Sequence, residues 1–481
     1  MNLRLVAAAL GGLVAVLGLC MSSAIPWSLH AGDERHLEFL AIILFCLVFG
    51  GAVFFLLRDP DAEYGLRDAF AIVTLGWLIV GLVGAVPYMV SGSLPNFTDA
   101  VFESFSGFTT TGATVVVDVE KLPRSILFWR SLTHWLGGMG IIVLSVAILP
   151  LLGIGGMAMF RAEVPSPVVD KLKPTVAATA KTLWKVYAVF TVAEIILLCA
   201  AGMDFFDSVC HTFGTMATGG FSTKNLSIGY YQSPLIDVIV IVFMLIAGAN
   251  FTLHFQALSG NPRAYLQSQE FRLYLLIFGT ATAFICWQVY DAGGGGFWAS
   301  LNQSAFQTAS IMTTTGFGTA DWEEWPWACQ WLLLILMFVG GCAGSTGGGM
   351  KCMRLVIAAK HVLRELRLLI HPRAVIPLKI DRSVVSPAII NSIMAFIGLF
   401  VGVWVVSTLL LVVMHLDVVT AIGASAATLS NIGPGLNGVG AMDTFAWLPV
   451  PAKWVLIFNM IVGRLELYTV FVLMVPDFWR K

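Results

Sequence analysis

Four short clusters rich in threonine, glycine and serine recur along the chain: TTTGATV (109–115), MATGGFST (216–223), TTTGFGT (313–319) and SNIGPGL (430–436). Aligned on one glycine each, they bring Gly112, Gly219, Gly316 and Gly433 into register, 107, 97 and 117 residues apart. Glycine reaches φ > 0, so successive carbonyls can turn to one side, and it has no side chain to hold a ligand off. Carbonyls turned this way can replace the hydration shell of a cation. Thr110, Thr111, Thr218 and Thr315 precede these glycines and are short, polar and stiff; the fourth cluster has Ile432 instead. One such cluster is an ordinary surface turn, whereas four in register predict the strands of a cation filter.

Other chemistries find no support. There is no HExxH motif and no convergent Ser/His or paired-Asp constellation, so the chain is not expected to be an enzyme. None of the eight cysteines forms a CxxC pair, and none has zinc spacing with histidine, so they are expected to be free thiols. A net charge of −1 gives no case for nucleic acid. His134, His211 and His254 lie in or near apolar segments and are expected to be packed, hydrogen-bonded side chains. Asp99 and Glu103 favour the start of the stretch before the first cluster, and could also concentrate cations at its mouth.

The elements that position these clusters belong in a membrane. Of 481 residues, 58% are hydrophobic and only 11% charged, against about 25% charged in soluble domains. The long, weakly basic apolar start is expected to be a retained membrane helix rather than a cleaved signal peptide. Ten segments approach the roughly 20 apolar residues that cross a bilayer: 5–26, 37–57, 68–91, 125–152, 180–201, 234–258, 271–290, 328–362, 388–414 and 452–476. With the N-terminus inside and one crossing per segment, 20 of the 27 Lys and Arg fall on the inner side, six on the outer, and Arg464 within a span. That asymmetry follows the positive-inside rule and puts both termini in the cytoplasm.

After two leading spans the order is span, short apolar stretch, cluster, span, four times over. The predicted fold is thus an all-α polytopic membrane protein with four pseudo-symmetric repeats around one ion pathway. The expected divisions are 1–60 for the two extra helices, then repeats at 61–165, 166–265, 266–375 and 376–481. The stretches 98–108, 204–215, 301–312 and 417–428 are too short to cross and fit half-helices, with the negative end of each helix dipole toward the ion. Irregular backbone at this depth is tolerated only when buried in protein or lining a wet cavity.

Two features lie on the inner side of the clusters. The eighth span is broken by GGCAGSTGGG (340–349), with six glycines in ten residues. Each glycine costs helix about 1 kcal/mol, so a flexible loop under the filter is expected. Arg464 sits mid-span, where a charge costs at least about 2.5–3.5 kcal/mol. It is read as a positive barrier bonded to loop carbonyls; the alternative is a structural ion pair with Glu194. Glu466 is a poor partner for it, because i and i+2 diverge on a helix.

The clusters, together with GCAGSTGGGMK (341–351), HPRAV (371–375), NFTLHF (250–255) and GRLELYT (463–469), resemble the Trk/Ktr/HKT potassium transporter superfamily over nearly the whole chain. The resemblance is closest to the bacterial Trk-type potassium uptake membrane subunit. It implies potassium as bound substrate at Thr110, Thr111, Gly112, Thr218, Gly219, Thr315, Gly316, Ile432 and Gly433, with no cofactor in this chain. A glycine in all four strands goes with potassium selectivity in this family, and serine in the first with sodium. The resemblance also implies an intramembrane gating loop (Gly344, Ser345, Thr346, Gly347, Gly348 and Gly349) acting with Arg464. It implies a homodimer in the bacterial inner membrane and a cytoplasmic NAD- or ATP-binding regulatory ring, TrkA-like. The segment from Lys351 to Arg382, with eight of the inner charges, is the expected contact for that ring. A proton- or sodium-coupled potassium symporter is the alternative to a gated conduction pathway.

Overall fold

The computed structural model describes all residues except 34, 60–64, 141–175, 294–295, 382 and 481. Among the described residues, strand is confined to one short antiparallel pair, Lys379–Ile380 with Ser383–Val384. Two helices lead the chain, α1 (Leu3–Ala31) and α2 (His36–Leu57). They approach closely through glycine: a Cβ on Gly11 would press on the Gly50 carbonyl oxygen, and one on Gly50 on that of Gly11. Such small-residue contacts suit helices in lipid, where close van der Waals packing drives association.

Beyond them a long helix, a short helix, an irregular strand and a further helix follow one another four times. The first set is α3 (Leu66–Val90), α4 (Phe97–Phe108) and α5 (Arg124–Trp135). The second is α6 (Val176–Ala200), α7 (Phe205–Met216), and the bent pair α8 (Pro234–Ala247) and α9 (Phe251–Leu258). The third is α10 (Gln269–Asp291), α11 (Phe297–Met312), and then α12 (Trp327–Val339) and α13 (Cys352–Ile370). The fourth is α14 (Pro387–Val413), α15 (Val418–Leu429), and the bent pair α16 (Val450–Arg464) and α17 (Tyr468–Met474). The expected division between repeats at 165/166 lies outside the described residues.

The short helices are held by local chemistry and by burial. Asn96, Asp204 and Asp417 cap α4, α7 and α15, their side chains accepting from the N–H groups of Thr98, Phe206 and Thr420; such caps satisfy otherwise orphaned donors. Nearly every residue of α4 is buried, polar ones included. Gly81 and Gly84 on α3 make room for it: a Cβ at either would overlap the rings of Phe105 or Phe108. Ser104 Oγ donates to the Gly81 carbonyl at 2.7 Å.

Six described helices are long and apolar enough to span a membrane, and eight if each bent pair is one span. This differs from the ten expected segments at the helix that follows each cluster. The α8–α9 pair bends by 102° and the α16–α17 pair by 114°. The run 328–362 is two helices parted by 340–351, and α5 passes into a π-helical segment at Leu136–Gly140, beyond which 125–152 leaves the described residues. Hydropathy counts apolar residues along the chain and is blind to a change of direction. All four interruptions carry glycine: Gly137 and Gly138, Gly248, Gly340, and Gly463.

Candidate functional site

The four short helices end in one local motif. At the C-terminal end of α4, Thr110 N–H donates to Gly107 O at 3.0 Å and Thr111 N–H to Ser106 O at 2.9 Å. The same pair of bonds is made by Thr218 and Gly219, by Thr314 and Thr315, and by Asn431 and Ile432. This is the Schellman arrangement, which requires a left-handed residue. Thr110, Thr218, Thr314 and Asn431 supply it, with φ of 53°, 54°, 61° and 55°. Three of these are β-branched threonines, for which that region is strained, and such strain concentrates at functional sites.

Two residues further on, each strand reaches positive φ again at a glycine: Gly112 (81°), Gly220 (77°), Gly316 (85°) and Gly433 (101°). The second strand therefore corrects the sequence alignment by one residue, because Gly220, not Gly219, matches the other three. The double glycine in MATGGFST hid the register. Each glycine is forced by the strand beside it. A Cβ at Gly112 would overlap the Gly219 carbonyl oxygen, at Gly220 that of Thr315, at Gly316 that of Ile432, and at Gly433 would press on that of Thr111. The four strands thus touch in chain order and the fourth returns to the first. A cavity of about 140 Å³ opens on all four glycines, with Thr114 and Asp443 also in its wall.

Buried groups fix this ring from behind. His134 Nδ1 donates to Gly107 O at 2.8 Å while Nε2 accepts from the Phe221 N–H at 3.1 Å, and its ring stacks on Phe221 at 4.1 Å. Arg130 Nε donates to Glu103 at 2.6 Å and Nη1 to Ser222 O at 2.9 Å, with the guanidinium 3.5 Å from the Phe221 centroid. Glu103 also accepts from Thr114 Oγ1 and Val115 N–H, both at 2.9 Å. His211 bonds Asp207 O and Ser222 Oγ, each at 2.8 Å. His134 and His211 are packed, hydrogen-bonded side chains, as their apolar settings suggested, and so is His254, which bonds Tyr265 Oη at 2.6 Å and Ile246 O at 2.8 Å. The expectation that Asp99 and Glu103 attract cations to the mouth is corrected: Asp99 is paired with Lys453 at 2.7 Å and Glu103 with Arg130. Arg130 was missed because its partners lie 27 and 92 residues away.

Beneath the strands lies the interrupted segment between α12 and α13. Gly348 N–H donates to Thr314 Oγ1 at 2.7 Å, and Thr346 Oγ1 lies 3.1 Å from both Met216 O and Ala247 O. A Cβ at Gly348 would overlap Ser430 O. The loop therefore abuts the ends of three short helices. Arg464 closes the fourth side: Nη1 donates to Thr346 O at 2.9 Å, and Nη2 to Gly137 O at 2.6 Å and Gly138 O at 2.9 Å. Glu194, the alternative partner, makes no hydrogen bond among the described residues. Glu466 turns instead to Lys351 and Arg354.

A helical bundle with several membrane-length helices, broken in its interior by strands of inward-packed glycine and carbonyl, defines a multi-pass membrane protein of the cation-transport class. Residues 35–481 match the model of the TrkH family, described as "Cation transport protein", and the chain belongs to that family. It is 43% identical to the Trk system potassium uptake protein TrkH of Salmonella typhimurium over 93% of each chain. It is 41% identical to the protein of that name from Vibrio parahaemolyticus over the full length of both. The crystal structure of the potassium transporter TrkH from Vibrio parahaemolyticus matches over 100% of both chains, with a TM-score of 0.90 at 40% identity. These are names of transporters, in line with the expectation that the chain is not an enzyme.

Proposed function

We propose that this protein takes up potassium across the bacterial inner membrane, with both termini in the cytoplasm, through a selectivity filter formed by the four strands. One observation carries this reading: each of Gly112, Gly220, Gly316 and Gly433 packs against the carbonyl of the next strand, so the strands close on themselves. Carbonyls held in a closed ring can replace the water around a cation of one size. The carbonyls of Thr111, Gly219, Thr315 and Ile432 are those the glycines pack against, and with the left-handed Thr110 and Thr218 they form the potassium site. The full length of the alignment to potassium uptake proteins supports the choice of ion.

The loop containing Gly344, Ser345, Thr346, Gly347, Gly348 and Gly349 acts as the gate, with Arg464 as its positive bolt. A guanidinium has five donors and no acceptor, and three backbone carbonyls hold this one under the filter. The membrane unit is a homodimer controlled by a cytoplasmic nucleotide-binding ring that contacts the region following Lys351. The test is potassium-limited growth of an uptake-deficient bacterium, paired with rubidium flux into liposomes. Rescue with potassium-selective flux is expected; an inserted protein that gives neither overturns the reading. Reversal potentials that follow imposed proton or sodium gradients would replace conduction with coupled symport.

A further inference from the structure

The segment between α12 and α13 is held by a carboxyl that lies outside the strands and outside the Arg464 contacts. Glu270, in the first turn of α10, is only 3% exposed. Its Oε1 accepts from the Ala343 N–H at 2.7 Å and from the Met353 N–H at 2.9 Å. These donors stand on either side of the stretch that carries Gly344 to Gly349. An acid at this helix position ordinarily serves the N-terminus of its own helix. This one serves another element. Two backbone bonds gather the same neck, Met350 N–H to Phe338 O at 3.2 Å and Cys352 N–H to Gly341 O at 2.9 Å. Glu270 reaches this neck from a different helix, α10.

We propose that Glu270 is a positioning residue of the gate: a latch whose single oxygen ties the two ends of the loop together and so keeps it under the filter. The proposal rests on the reading of the loop as the gate. Drawn out of the pathway, even in the compact form of an α-helix, residues ten apart lie about 15 Å from each other. One oxygen cannot then accept from both amides, so the latch exists in one arrangement of the loop only.

A second buried acid behaves in the opposite way. Glu466, at the break between α16 and α17, pairs with Lys351 at 2.8 Å and with the Arg354 guanidinium, which also lies 4.0 Å from the Phe396 centroid. Arg354 lies in the first turn of α13 and Lys351 stands just before that helix, so both can stay on Glu466 while the glycine-rich stretch before them moves. Glu466 is the pivot at which the two broken helices meet; Glu270 is the catch.

The experiment measures two quantities on the full-length protein in liposomes: rubidium flux, and hydrogen exchange at the Ala343 and Met353 amides. Glu270→Gln keeps a carbonyl acceptor, and parental flux and protection are expected. Glu270→Leu removes the acceptor; both amides should exchange faster together, and flux should rise roughly tenfold. Glu270→Ser, too short to reach either amide, carries the same expectation where the leucine variant does not fold. Unchanged protection in the leucine or serine variant overturns the latch and leaves the gate reading standing. Faster exchange with unchanged flux overturns Glu270 as a positioning residue of the gate, and leaves the gate reading to be judged on Arg464. Arg464→Ala, measured in parallel, tests the gate reading independently.

Discussion

At the scale of single residues, the site depends on backbone positions that tolerate no side chain. Gly112 has φ 81° and faces the Gly219 carbonyl oxygen. Gly112→Ser must therefore displace an oxygen of the ring, and potassium should lose its advantage over sodium. Permeability ratios from reversal potentials check this; a ratio equal to that of the parent would remove Gly112 from the filter. A second residue gives a pH dependence. Glu323 lies outside the spans, beside Gly440 in the wall of the cavity. Burial, then the nearby charges of Asp321 and Asp443, push its carboxyl up to about 7. A carboxyl raised in the folded state is stabilising when protonated, so its contribution to stability is lost as pH rises toward and through about 7. The same ionisation adds negative charge at the mouth. Flux should increase from about pH 6 to about pH 8, and Glu323→Gln should flatten that step in a pH series of rubidium uptake.

At the scale of elements, two polar connections tie helices across the interior. The Glu103–Arg130 pair joins α4 to α5 with both side chains essentially out of solvent. Removing one member of such a pair leaves an uncompensated buried charge and costs about 3–5 kcal/mol. Arg130→Ala should lower the thermal unfolding midpoint in detergent, and the surviving folded protein should select potassium less well, because Ser222 and Phe221 lose their anchor. Arg464 is the second connection, from the end of α16 to the loop and to the π-helical turn after α5. Under the proposed gate, Arg464→Ala should raise rubidium flux, as should shortening the loop, and the double variant should fall short of the sum, since the proposal makes both parts of one barrier. Unchanged flux in a folded Arg464→Ala protein would assign the arginine a structural role alone.

At the scale of the whole molecule, each of the four sets of helices contributes one strand, so under the proposed function ion binding and assembly of the bundle are linked. A ligand bound by the folded state alone stabilises it by about 2.7 kcal/mol at about 100 times its Kd. Exchanging potassium for a large organic cation should therefore lower the unfolding midpoint, with rubidium restoring it and sodium restoring less. A midpoint indifferent to the cation would speak against a site shared by all four repeats.

Composition and local pattern alone established the class of the protein, the four clusters, their half-helices and the break at 340–349. These are local properties: hydropathy, the spacing of residues within the Thr/Gly clusters and the helix-breaking cost of GGCAGSTGGG each act within a few residues. A charge as costly in lipid as Arg464 also had to find partners inside the protein. The tertiary structure decided which partners. Carbonyls at Gly137 and Gly138 hold Arg464 from more than 300 residues away, and no local pattern encodes that distance. It also decided that Gly220 rather than Gly219 fills the left-handed position, because both residues suit a turn and only packing against the Thr315 carbonyl separates them. The bends after α8 and α16 belong to the same class, since an apolar run specifies burial but not direction. Likewise Glu270 and Glu466 appear in sequence as acids in or near spans; only the folded chain sets them on the neck of one loop.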